Sequence, residues 1–281
     1  MNGLNNERTY GVEVEFISNE WGQRELADKI NSRSSDIPMP RLYIASYSDT
    51  DSSKWRLKTD SSVSSRRGRG LELVSPILRG DNDMLILKNF MTMLNELHCD
   101  VNRTCGLHVH VGARDWGVKE FKNLAKRYAK FESAIDTIMP RSRRLSNNSY
   151  CRSNANYRDS SLELVFAEIN KCKTARDVMN KVQGGRYYKL NLESFWKHGT
   201  VEFRHHSGTI CPAKIENWVM VCMGMTKLAD TNRSVKITEG DTTTSYRFKL
   251  SSLMNGLVKT GLVSSATRRF YTKRARALCT S

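Results

Sequence analysis

No uninterrupted apolar run in the 281 residues approaches the ~20 that a bilayer-spanning helix requires. The opening residues, MNGLNNERTYG, lack the basic-then-apolar order of a secretory leader, so a cytoplasmic address is expected. Glycine (17) and proline (5) are too scarce for a collagenous or low-complexity chain. Seven cysteines are present, Cys99, Cys105, Cys151, Cys172, Cys211, Cys222 and Cys279, but no Cys-x-x-Cys pair. An odd, scattered set is neither a disulfide framework nor a structural zinc site, and such thiols are expected to be small buried apolar groups. Cys105, three residues before His108, is read the same way and not as a nucleophile. No Gly-x-x-x-x-Gly-Lys-Ser/Thr, His-Glu-x-x-His or Gly-x-Ser-x-Gly occurs. Gly68-Arg69-Gly70 lacks the third glycine and following helix of a dinucleotide fingerprint.

What is present is a globular composition, 39% hydrophobic and 26% charged, sufficient for one large domain or two ordinary ones. The net charge is +16, and half of it lies between Thr231 and Ser281, where ten Lys/Arg face only Glu239 and Asp241. That end is either a solvated basic segment or a docking surface for an acidic partner or nucleic acid. Arg141, Arg143, Arg144 and Arg152 form a second cluster, either a site for an acidic substrate or, as charge runs more often are, a solvated loop. The Thr/Ser-rich stretch Thr231–Ser245 suggests a subdomain joint, and Ser61–Gly70 (SSVSSRRGRG) an exposed, mobile loop between strands.

Apolar residues at three- and four-residue spacing predict helices over Asp83–Leu97 and Val118–Met139, and Pro212 opens a third to about Leu228. Shorter helices are expected over Arg24–Ile30, Leu162–Asn170, Ala175–Val182 and in the tail. Strands are predicted over Tyr10–Phe16, Leu42–Tyr47, Trp55–Thr59, Leu71–Val74, Gly106–Gly112, Arg186–Leu192 and Thr200–Arg204. Helices and strands alternate without a βαβ rhythm, so the class is α+β with a mainly antiparallel sheet.

Three strands carry unusual polar faces. Period two places Glu13 with Glu15, His108 with His110, and Glu202 with Arg204, opposite faces made of Val, Leu and Phe. One such strand alone would simply turn its polar face to water. Three of them, holding carboxylates and imidazoles where solvated strands carry Thr, Lys or Ser, predict a shared basin. Crowded carboxylates repel unless cations lie between them, and an oxygen-rich set suits Mg²⁺ or Mn²⁺ accompanied by nucleotide phosphates. Arg204 would then meet a transferring phosphoryl group.

Five segments in order, Tyr10-Gly-Val-Glu-Val-Glu-Phe16, Leu71-Glu-Leu-Val-Ser-Pro76, Thr104-Cys-Gly-Leu-His-Val-His-Val-Gly112, Arg186-Tyr-Tyr-Lys-Leu-Asn191 and Thr200-Val-Glu-Phe-Arg-His-His-Ser-Gly-Thr209, resemble the amidoligase family. These are carboxylate-amine ligases related to glutamate-cysteine ligase and glutamine synthetase. The resemblance spans roughly Tyr10 to Leu228. It implies an antiparallel sheet curved into a funnel with helices behind it, holding ATP and Mg²⁺ or Mn²⁺. By the same resemblance Glu13, Glu15, Glu72 and Glu202 are metal-binding acids, and Asp60 is a further one, with Ser61 where a glycine is usual. His108 matches the metal-binding imidazole, His110 the one facing ATP, and Arg204 the arginine on the transferred phosphate, with Glu202 beside it. Tyr187 and Asn191 match the acceptor pocket.

The implied reaction joins a carboxylate to an amine through an acyl phosphate, giving an amide or isopeptide bond between small-molecule or peptide substrates. The implied layout is a catalytic domain over 1–230 and a basic subdomain over 231–281, with no membrane partner. Two alternatives use the same residues: a nucleic-acid-binding protein on an inactive ligase scaffold, suggested by Arg186-Tyr187 and Phe270-Tyr271, and a metal-dependent hydrolase or nuclease.

Overall fold

The computed structural model describes residues 4, 7–33, 37–46, 48–146, 148–154, 161–231, 235–237 and 246–279. The chain forms two compact units. The first comprises residues 3–110 and 206–219, the second residues 1–2, 111–205 and 220–281.

In the first unit the strands β1 (Tyr10–Ser18), β2 (Leu42–Ile44), β3 (Trp55–Thr59), β4 (Arg69–Val74) and β5 (Gly106–Gly112, which leaves the unit after His110) lie in the order β2-β3-β4-β1-β5. β4 is antiparallel to both β1 and β3, whereas β2 runs parallel to β3, so the sheet is mixed. The alternation written in the sequence decides its faces: Val12, Val14, Phe16, Leu57, Leu71, Leu73, Leu107 and Val109 are buried on one side. Helices α1 (Gln23–Ser32) and α2 (Gly80–Glu96) bring Leu26, Ile30, Leu87, Phe90 and Leu94 to the core, with the Trp55 and Phe90 rings 4.4 Å apart. Helix α1 opens with the Gly22 N–H donating to Glu25 Oε2 at 2.8 Å, the one half of a capping box that a glycine N-cap allows.

The second unit is mainly helical. Helix α3 (Val118–Asp136) buries Phe121, Leu124, Tyr128, Phe131 and Ile135, and α4 (Leu162–Lys171) and α5 (Ala175–Val182) accompany it. The short β6 (Leu190–Asn191), α6 (Ser194–His198) and antiparallel β7 (Thr200–Ser207, which leaves the unit after His205) follow. Helix α7 (Pro212–Asp230), which belongs to the first unit up to Val219, precedes α8 (Tyr246–Val258) and α9 (Ser265–Cys279), which bury Leu253, Leu257 and Tyr271. No helix among the described residues is long and apolar enough to cross a membrane.

The periodic helices and most strands form where the pattern places them. Three readings need correction, and one short helix has no counterpart among them. Arg186–Leu192 yields a strand only at Leu190–Asn191, because the Tyr187 carbonyl accepts from Arg152 N (2.8 Å) and the Lys189 N–H donates to Arg152 O (2.9 Å), so this backbone is partnered by a loop. Leu42–Tyr47 is a strand only to Ile44. The five-residue α6, too short for a periodic signal, ends at Gly199 with φ 69°. The arginine cluster is not uniformly solvated: Arg143 is buried, and Arg144 donates to Met139 O and Leu278 O. Most of the Thr231–Ser245 joint lies outside the described residues.

The cysteines behave as expected. Cys99, Cys105, Cys151, Cys172, Cys211 and Cys222 are free, and all but the half-buried Cys211 are buried; the Cys279 side chain lies outside the described ones. Cys105 packs with Ile17 and Val63.

Candidate functional site

In the first unit the polar side of the sheet is a pattern of charge in register. Cross-strand pairing aligns Lys58 of β3 with Glu72 of β4 and Glu72 with Glu15 of β1, while Arg56, Val74 and Glu13 form the adjacent row. These residues do not face water: Glu15, Arg56, Lys58 and His108 are all buried, and Glu13 and Glu72 are half-buried.

His108 lies between the two β1 carboxylates. Its Nδ1 is 3.1 Å from Glu13 Oε2 and its Nε2 is 3.5 Å from Glu15 Oε1. His110 Nε2 is 3.5 Å from Glu13 Oε1, so Glu13 bridges both imidazoles. Burial works against the Glu13 carboxylate, but hydrogen bonds and charge from His108 and His110 outweigh it and hold its pKa well below the usual range. Glu15 Oε2 accepts the Gly106 N–H at 2.6 Å, which fixes that carboxylate against the start of β5.

Glu72 has the opposite environment. Burial, followed by the charges of Glu13, Glu15 and Asp60, pushes its pKa well above the usual range, opposed by Lys58. Lys58 is itself depressed by burial and by Arg56, and its ammonium donates to Asp49 O at 2.6 Å. Arg56 donates to the same carbonyl at 2.7 Å.

One ligand atom each from Glu15, Glu72 and His108 lies within 4.8 Å of the other two. Two carboxylates and an imidazole are a donor set that fits a divalent cation such as Mn²⁺ or Mg²⁺. With Nδ1 directed at Glu13, the His108 ring is oriented as metal-bound imidazoles are oriented by a carboxylate behind them. Asp60 lies at the edge of this region: one of its oxygens takes both the Ser62 N–H and the Ser62 hydroxyl at 2.7 Å. Its loop closes on β4 at Gly70, where a Cβ would come within 2.5 Å of Asp60 O and 2.6 Å of Val63 O.

In the second unit Glu202, Arg204, Asn191 and Tyr187 lie together on and beside β6–β7. Asn191 and Glu202 are cross-strand partners, and the Asn191 amide donates to Glu202 Oε2 at 2.6 Å. Arg204 donates to Glu202 Oε1, also at 2.6 Å, so both oxygens of this buried carboxylate are held. The Arg204 guanidinium lies 5.9 Å from the centre of the Tyr187 ring, which also packs edge-on against Tyr150.

Beneath this pair is an ionic network that the strand reading did not single out. The Lys189 ammonium, fully buried, donates to Glu132 Oε1 (3.0 Å) and Asp136 Oδ1 (2.7 Å). Asp136 Oδ1 also lies 2.7 Å from His205 Nε2, and His205 Nδ1 is 2.8 Å from the Tyr128 hydroxyl. Burial and the Lys189 charge depress His205, whereas His205 and Lys189 overcome burial to keep Asp136 low. The Lys189 carbonyl accepts the Arg204 N–H at 2.7 Å, so the network anchors the strand that carries Glu202 and Arg204. Lys58 and Arg56 were within reach of the period-two argument that found Glu13 and Glu15. The Lys189 network was not, since its members come from α3, β7 and the segment leading into β6.

The family described as "Putative amidoligase enzyme" matches residues 6–226, and the chain belongs to it. No curated protein sequence matches the chain. Among solved structures it is similar to a bifunctional glutathione synthetase from Pasteurella multocida, with 10% identity, a TM-score of 0.43 and coverage of 98% of this chain and 47% of that one. It is also similar to Plasmodium falciparum glutamine synthetase, with 10% identity, a TM-score of 0.38 and coverage of 97% and 72%. The chain thus spans about half the length of the glutathione synthetase.

Proposed function

We propose that this protein is an ATP-dependent carboxylate-amine ligase that forms an amide or isopeptide bond through an acyl phosphate. Family membership supports a ligase, and one observation supports the nucleotide-and-cation chemistry: Glu15 and Glu72 converge beside His108 although the two carboxylates repel. A carboxylate cluster of that kind is stable when divalent cations share it.

In this reading Glu15, Glu72 and His108 hold a cation, Glu13 orients His108, and Asp60 and Glu202 supply further carboxylates. Divalent cations held there would neutralise the triphosphate and align the entering carboxylate with the γ-phosphorus. His110 faces the nucleotide. Arg204, its guanidinium fixed on Glu202, stabilises charge developing on the transferring phosphoryl oxygens. The substrate carboxylate takes the phosphoryl group and ADP departs; the amine then attacks the acyl carbon and phosphate leaves. Tyr187 is the acceptor-facing side chain, and Asn191, bound to Glu202, positions that carboxylate. The exposed loop between β3 and β4 is suited to exclude water from the acyl phosphate.

The test is release of ADP and phosphate from ATP with a panel of acids, with hydroxylamine trapping the acyl phosphate as a hydroxamate. Product should require Mg²⁺ or Mn²⁺. It should fall by ~10³-fold in Arg204→Ala while nucleotide affinity changes much less. Hydroxamate formation in the absence of ATP, or nucleic-acid cleavage that needs only the metal, would refute the ligase reading.

A further inference from the structure

The charge of +16 belongs to one unit. Residues 3–110 and 206–219 hold 15 Lys/Arg and 16 Asp/Glu, a net −1, whereas the other unit holds 30 and 13, a net +17. Much of that excess is locally engaged. Lys171 and Lys181 share Glu168, Lys122 and Lys126 bond Asn170, and Lys189 is buried between two carboxylates.

Helix α9 carries Arg268, Arg269, Lys273, Arg274 and Arg276 and no acidic residue. Thr267, Tyr271 and Ala275, at four-residue spacing, are buried and dock one face. Arg274 Nε donates to Ile138 O at 2.7 Å and Arg144 donates to Leu278 O at 3.0 Å, fixing the helix at both points. The opposite face presents Arg269, Lys273 and Arg276, and Arg268 flanks the docked face; all four are exposed. Among the described residues no carboxylate pairs with Arg268, Arg269 or Lys273; Arg268 reaches only the Asn255 side chain, at 2.8 Å.

We propose that this face of α9 binds the phosphate backbone of a nucleic-acid strand. Three of the four exposed cations of the helix are arginines, whose planar fork matches phosphate oxygens. Positions 269, 273 and 276 are separated by about 6 and 4.5 Å along the helix axis, a spacing that lets one strand's neighbouring phosphates be engaged together. The remaining exposed positions, Ser265, Ala266, Thr272 and Ala277, are small. They offer nothing to insert into a bilayer and no apolar centre for a protein interface. Tyr271 lies in the core and cannot stack on bases, so binding is independent of sequence and rests on counterion release. This inference goes beyond the ligase reading and does not depend on it.

Fluorescence anisotropy of the full chain with a labelled oligothymidylate of about 20 nucleotides tests it. Four neutralised phosphates on a single strand give a log–log salt slope of about −3. R268Q/R269Q/K273Q/R276Q should weaken binding at about 50 mM salt by tenfold or more and flatten that slope by about three. K171Q/K173Q/K181Q/K197Q removes the same charge elsewhere and should leave affinity within about twofold. Circular dichroism should show both variants folded. Equal losses in the two variants, no binding of the oligonucleotide, or binding only to polyglutamate or to phosphatidylserine vesicles would each overturn the proposal.

Discussion

Glu15 and Glu72 stand directly opposite each other on antiparallel β1 and β4, two carboxylates in the cross-strand position where like charges destabilise a sheet. Lys58 continues the row on β3, and His108 approaches Glu15 from β5. In the ligase reading the arrangement gives up stability for a place where a cation would be held.

The first prediction is a change of sign. In chelator, Glu72→Gln removes the most disfavoured charge and should raise the melting temperature by a few degrees, at ~2–4 °C per kcal/mol. In millimolar Mn²⁺ the wild type should gain stability by mass action while the variant does not, reversing their order. Paired thermal melts check this; a variant less stable in chelator would show that the Glu72 carboxylate is not a burden to the fold.

Asn191 connects fold to chemistry, because its amide occupies one oxygen of buried Glu202. Asn191→Ala should cost about 1–3 kcal/mol in urea denaturation, the usual result of leaving a buried acceptor unpaired. Ligase turnover should fall by about tenfold or more while nucleotide affinity is little changed. Unaltered turnover would remove Asn191 from a positioning role.

Lys189 neutralises Glu132 and Asp136 together. Lys189→Met leaves two buried carboxylates without their cation, and breaking such a pair costs about 3–5 kcal/mol. A large fall in the urea midpoint is expected, relieved on adding Asp136→Asn, since that substitution removes one of the stranded charges.

Acid should destabilise the second unit in two steps. His205 has a depressed folded-state pKa, so its contribution is complete above the unfolded value of ~6.5 and is lost as pH falls toward the folded one. Asp136 is likewise depressed, and its contribution is lost below the unfolded value of ~3.9. Unfolding free energy measured across pH 5 to 7.5 should therefore rise with pH. His205→Gln should flatten that rise, and a slope that persisted in the variant would assign it to another group.

Patterning exposed much of this in advance. The period-two faces of Tyr10–Phe16, Gly106–Gly112 and Thr200–Arg204 emerge as read, and the long helices begin and end within a few residues of their periodic runs. The segment Arg186–Leu192 misled because backbone pairing depends on what lies alongside: the loop residue Arg152 took the hydrogen bonds a strand would have used. Arg143 misled for a related reason, since burial of a guanidinium is decided by its neighbours and not by the charge run in which it occurs.

Alternation and helical periodicity are properties of consecutive residues, so the sequence by itself determined which side chains share a face and how strongly charge accumulates toward the C-terminus. Register is a relation between segments distant in the chain. Only the tertiary structure decided that Glu72 is aligned with Glu15 and with Lys58, that Lys189 is buried between Glu132 and Asp136, and that α9 turns Arg269, Lys273 and Arg276 outward while Arg274 anchors it. Those relations depend on which surfaces pack, and packing energy is shared among residues that no local window contains together.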